Sequence, residues 1–211
     1  MTAEQYEKAV CDLFRLWKQQ HLQDGNTSKN MPKTQCPEAF IRDGIPYPIE
    51  YFTQPREDRV LFVLKESNAK CADKNSSSLS WFRDFVEGCE DENPYLRTKL
   101  ASAFNSITGS DLSAREAIKR IAIMNINKRG GTSSSIDSVL REYAKDYKER
   151  YIKKQIELID PKYVVCCGVY GVINDTVYNG NPPPTFMLLD VRHPSRGISV
   201  EGFAEVCKKQ I

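Results

Sequence analysis

The stretch LIDPKYVVCCG, residues 158–168, places two periodicities back to back. Upstream of it Ile136, Val139, Leu140, Tyr143, Tyr147, Ile152, Ile156 and Ile159 recur at helical spacing, which predicts one long helix from about Ser135 to Ile159. Asp160-Pro161 stops that helix, because proline lacks an amide hydrogen and crowds the turn before it. YVVCCG, 163–168, then reads as a short apolar strand covered on both faces. Helix, stop and buried strand in succession point to an α/β fold.

Working outward, RVLFVL at 59–64, IAIMNI at 121–126 and TFMLLDV at 185–191 are runs of the same kind. Residues 3–20 carry Tyr6, Val10, Leu13, Phe14 and Trp17 on one helical stripe, followed by the polar segment QDGNTSKNMPKTQ. Pro37, Asp43-Gly44, Pro46 and Pro48 predict turns and short extended pieces up to about Gln54. Ser113 and Glu116 have capping-box spacing and mark a helix feeding the second strand, and a last helix starts near Val200. Buried strands that alternate with helices need crossover connections, so the sheet is expected to be mainly parallel with helices on both faces. The expectation is a three-layer α/β/α sandwich with a central four-stranded sheet. One domain is expected over 1–211, with an N-terminal helix and irregular layer to about residue 58 and the core from 59 onward.

Of 211 residues, 40% are hydrophobic and 27% charged, an ordinary balance for a soluble globular chain, and no apolar run reaches bilayer length. The first residues, MTAEQYEKAVCDLFRLWKQQ, mix charge into an amphipathic pattern and offer no export signal. Cysteines stand at 11, 36, 71, 89, 166, 167 and 207 with no CxxC pair, so neither a disulfide framework nor a zinc or iron–sulfur site is suggested. These features together predict a cytoplasmic protein with no membrane association, no metal and no organic cofactor. A net charge of +2 does not by itself announce nucleic acid. Oligomeric state is not legible.

In parallel α/β sheets, ligands gather at the carboxyl ends of the strands. Here those ends read KESNAK, NINKRGG, GVYG and RHPSRG, which brings Glu66, Asn125, Asn127, Lys128, Gly168 and His193 toward one crevice. Lys65, Lys70, Lys74, Lys128, Arg129, Arg192 and Arg196 fall in the same loops and favour a polyanionic ligand.

His193-Pro194-Ser195 after the last strand, VLKESNA at 63–69 after the first and IAIMNINK at 121–128 resemble motifs of the uracil-DNA glycosylase superfamily. Together with LIDPKYVVCCG, they are most similar to the branch with glutamate in its first motif. The likeness runs from residue 59 to about 203. It implies removal of uracil or a related damaged base from DNA. Cleavage of this kind passes through an oxocarbenium-like state. Glu66 would then stabilise the sugar cation and orient water, while His193 would donate to the uracil O2 as the base departs. Asn125 would match the uracil O4 and N3–H, with Asn68 and an aromatic such as Phe82 completing the base pocket. Trp81 and Phe85 are open alternatives for the stacking ring. Ser195 would bind a phosphate, Arg196 or Ile198 would enter the gap left by the base, and Lys65, Lys128 and Arg129 would complete the DNA contact.

The likeness has departures. Lys65 replaces the glycine that usually precedes the acid, Ser67-Asn68-Ala69 replaces Pro-Gly, and Arg129-Gly130-Gly131 replaces a proline-rich continuation. The cysteines of that branch's cluster are missing. A non-catalytic binder of nucleic acid or nucleotide on the same fold, and an enzyme acting on free nucleosides or nucleotides, therefore stand as alternatives. Residue by residue, Glu66 also reads as a solvated strand-end acid, His193 as a capping residue, Asn125 as a turn former and the basic loops as a solvated rim. Cys166 or Cys167 with His193 would suit a thiol hydrolase, against which stands the fit of both as small core residues.

Overall fold

The computed structural model describes residues 1–24, 40–66, 94–129 and 136–211. Four strands form the sheet: β1 (Val60–Glu66), β2 (Ala122–Asn127), β3 (Tyr163–Cys167) and β4 (Met187–Val191). All pair in parallel, in the order β2-β1-β3-β4. Seven α-helices of the described residues accompany them: α1 (Ala3–Asp24), α2 (Pro48–Thr53), α3 (Pro94–Thr108), α4 (Ala114–Ala117), α5 (Asp137–Tyr147), α6 (Lys153–Ile159) and α7 (Val200–Lys208).

Side-chain alternation along the strands divides the core in two. Leu61 and Val63 of β1, Met124 and Ile126 of β2 and Val164 and Cys166 of β3 pack against α1, α5 and α6. Phe62 and Leu64, Ile123, Val165 and Cys167, and Leu189 and Val191 face α3, α4 and α7. The three-layer α/β/α sandwich expected from the alternating runs is therefore the observed architecture.

Several elements depart from expectation. The long helix before β3 is interrupted by a π-helical turn at Lys148–Ile152, and Ile136, expected on its buried stripe, is exposed. It stops where expected: Asp160 turns left-handed, and its carboxylate is bound by Arg56 and Arg59. The Ser113–Glu116 capping box is present, but it starts a single α-turn that tightens at once into a 3₁₀ turn, Ile118–Arg120. The fourth strand is not covered on both faces. As an edge strand it exposes Met187 and Asp190. The sequence reading leaves 94–108 without an element, yet α3 buries Leu100, Ala103, Phe104 and Ile107 on one face.

The other edge, along β2, is covered by residues 41–45. Gly44 exchanges both backbone hydrogen bonds with Ile123, and Ile41 N–H donates to the Lys128 carbonyl. Gly44 holds φ +125, and a β-carbon there would lie 2.4 Å from the Tyr6 hydroxyl, so glycine is required. Between these contacts the Asp43 carboxylate accepts the Asn125 N–H at 2.7 Å.

Candidate active site

Strands β1 and β3 are neighbours, and the next described elements after them lie on opposite faces of the sheet. The next described helix after β1, α3, packs on one side of the sheet, whereas Val169, Val172, Ile173 and Val177 after β3 pack on the other. Such a divergence opens a crevice at the strands' carboxyl ends. Lys65, Glu66 and Gly168 stand there. Gly168 takes φ +69, and a β-carbon on it would lie 3.5 Å from His193 N and 3.7 Å from Lys65 Cε. The ends of β1, β3 and β4 thus meet around a glycine.

His193 is partly buried, and its ring is held by its own turn. The Ser195 hydroxyl lies 2.7 Å from Nδ1, and the Ser195 backbone N–H donates to the same atom at 3.3 Å. A backbone N–H can only donate, so Nδ1 accepts and the ring proton is assigned to Nε2. Burial, followed by repulsion from Lys65 and Arg196, holds the imidazole below its ordinary 6.5. At neutral pH the ring is therefore an uncharged N–H donor. The turn is tied down from α3, where buried Lys99 donates to the Pro194 carbonyl at 2.6 Å. Lys99 escaped the sequence reading because nothing in its neighbourhood links it to a turn 95 residues away.

Glu66 and Asn127 are paired across β1 and β2, and alternation puts them on the face that Leu64 and Ile123 share. Burial raises the Glu66 carboxyl above its ordinary 4.5, while the Asn127 side chain and then Lys65 pull it partly back. Asn125 lies two residues back on the same face. Its Nδ2 and that of Asn127 are buried without a full hydrogen bond among the described residues. Two amide donors without a partner thus lie on the same face as a perturbed carboxylate, and buried polar groups are generally paired.

The remaining sequence-predicted residues divide sharply. Lys128 and Arg129 were expected to touch DNA, but both are 0% exposed. The Lys128 ammonium binds both oxygens of Asp43 and the Asn125 carbonyl, each at 2.7 Å, beneath the Phe14 and Trp17 rings. The Arg129 guanidinium lies over Tyr143 and Tyr147 and donates to the Tyr147 hydroxyl at 3.3 Å. Both cations stabilise the interior, so neither offers a surface charge. Asp43, read as a turn residue, is the buried counter-charge. Ser195 is exposed, but its hydroxyl proton goes to His193 Nδ1, which makes it a support for the imidazole rather than a phosphate donor. Lys65 is half-buried, and Arg192 and Arg196 are exposed at the rim. Asn68 and Phe82 lie outside the described residues, as do Lys70, Lys74, Trp81, Phe85, Gly130 and Gly131.

Cys166 and Cys167 are fully buried on opposite faces of β3, and burial pushes both thiols far up, so neither is a nucleophile. Among the described residues no three His, Cys, Asp or Glu side chains gather in a way that would hold a metal ion, and no helix is long and apolar enough to cross a membrane. Comparison of the chain with protein-family models, curated proteins and solved structures finds no match.

Proposed function

We propose that this chain hydrolyses the N-glycosidic bond of uracil or a related damaged base in DNA. One observation carries the reading: Glu66 ends β1 and His193 follows β4, Lys65 beside Glu66 and His193 both approach Gly168, and burial displaces the ionisation of Glu66 and of His193. Breaking a base–sugar bond develops positive charge on the sugar and negative charge on the departing base. A carboxylate serves the first and a neutral imidazole N–H the second, and preorganised donors of this sort are worth on the order of 3–4 kcal/mol. Asn125 is 1% exposed and its amide Nδ2 has no partner among the described residues, which leaves a donor for a heterocycle edge that enters the interior, and Lys65, Arg192 and Arg196 suit the flanking phosphates. A base must first leave the stack, which costs a few kcal/mol.

The test is incubation with single- and double-stranded uracil-containing oligonucleotides, followed by alkali to cut abasic sites. The expected result is strand cleavage by the wild type, reduced on the order of 100-fold or more in both Glu66→Gln and His193→Ala. Oligonucleotide left intact by the wild type sinks the proposal.

A second reading, a non-catalytic binder of nucleic acid or nucleotide, draws on Lys65. Its positive charge acts on the Glu66 carboxyl, which favours a phosphate-binding rim over a free acid beneath a sugar cation. Salt-sensitive binding of uncleaved DNA would favour it.

A further inference from the structure

Asn127 ends β2 level with Glu66, and its side chain is fully buried. Its Oδ1 accepts the Arg129 backbone N–H at 3.0 Å, which fixes the plane of the amide. Nδ2 is then the free end. It has no hydrogen-bond partner among the described residues, and strand pairing sets Asn127 level with Glu66, whose raised carboxyl it draws back down. We infer that Asn127 is a positioning residue for Glu66: anchored at its oxygen by Arg129, it presents an amide N–H to the carboxylate from the paired strand and sets the way the acid faces. This rests on reading Glu66 as the working acid of the site.

Among the described residues, the charged groups near the strand ends leave that role to Asn127. Lys65 precedes it on its own strand. From β2, the Lys128 ammonium is turned to Asp43 and the Arg129 guanidinium to Tyr143 and Tyr147. From α3, the Lys99 ammonium is engaged with the Pro194 carbonyl. On the β3 and β4 side, Gly168 and His193 meet Lys65, and His193 is uncharged. Burial raises the acid, and Asn127 acts against it more strongly than Lys65 does. An acid needed as an anion at neutral pH gains from a donor beside it.

The experiment follows the Glu66 carboxyl directly, without activity. Protein carrying ¹³C-carboxyl glutamate is titrated by NMR, the Glu66 signal being assigned by its loss in Glu66→Gln. The wild type is compared with Asn127→Ala and Asn127→Asp. The aspartate keeps an oxygen for the Arg129 N–H and replaces the donor with a second acid, so it serves where the alanine variant fails to fold. The Glu66 midpoint is expected to rise by about 1 pH unit in Asn127→Ala and further in Asn127→Asp, where like charges compete. The acidic limb of uracil excision should move the same way. An unmoved midpoint overturns the inference. A midpoint that moves while the wild type leaves uracil DNA intact supports the positioning role and sinks the glycosylase reading alone.

Discussion

Two polar regions lie at adjacent corners of the same sheet, and they are built on opposite terms. Along the β2 edge, Asp43 accepts from Lys128, from Gln155 Nε2 at 2.7 Å and from the Asn125 backbone, and aromatic rings close over the cation. At the strand ends a carboxylate is held up, an imidazole is held down and two amides are left open. Charge and burial are common to both regions. What separates them is the pairing of the charged groups themselves, since Asp43 and Lys128 bind each other and the Glu66 carboxyl is held up by burial. A fully paired buried charge is part of the scaffold, whereas an incompletely paired one makes a candidate for chemistry.

The comparison breaks most readily at Asp43. Asp43→Ala strands the buried Lys128 ammonium and should destabilise the fold by about 3–5 kcal/mol in chemical denaturation. A loss of less than about 1 kcal/mol would mean that this region is not scaffold after all. Next in size is Lys99→Met, which keeps the buried stem but removes a charge-assisted bond to Pro194. The expected loss is about 1.5–3 kcal/mol, with the His193 midpoint drifting back toward 6.5 as its turn loosens. Unchanged stability and an unchanged histidine titration together would sever α3 from the site.

The smallest effect has the opposite sign. Because the folded state raises the Glu66 carboxyl, it holds that proton more tightly than the unfolded chain does, so stability falls as pH climbs from about 4.5 through the folded value. Glu66→Gln removes this cost. It should be modestly more stable than wild type at pH 7, with the gain fading below about pH 4.5. Destabilisation at pH 7 would show Glu66 to be a paired structural acid like Asp43.

The sheet was legible because four short apolar runs, each followed by polar residues, have few other ways to bury both faces. The carboxyl ends that bring Gly168 and His193 together follow from the same logic. The direction of a strand-end side chain did not. Lys128 and Arg129 sit where a basic rim belongs, but α1 and α5 bring Phe14, Trp17, Tyr143 and Tyr147 over them, and Asp43 arrives from a segment whose glycine reads as a turn. No local pattern encodes that meeting, since it depends on residues 85 positions apart. Helix α3 was missed for another reason. Leu96, Leu100, Phe104 and Ile107 do recur at helical spacing, but Ser102, Asn105, Ser106 and Thr108 are weak helix formers that dilute the signal until packing is known.

One measurement sets the two regions directly against each other. Uniformly ¹⁵N-labelled Glu66→Gln protein, chosen to slow turnover, is mixed with a uracil-containing single-stranded oligonucleotide while its side-chain signals are followed. We expect the His193 Nε2–H and the Asn125 and Asn127 amides to shift, with the Trp17 indole beside Lys128 unmoved. Shifts confined to Trp17, or none at all, would contradict the assignment of the strand ends as the working site.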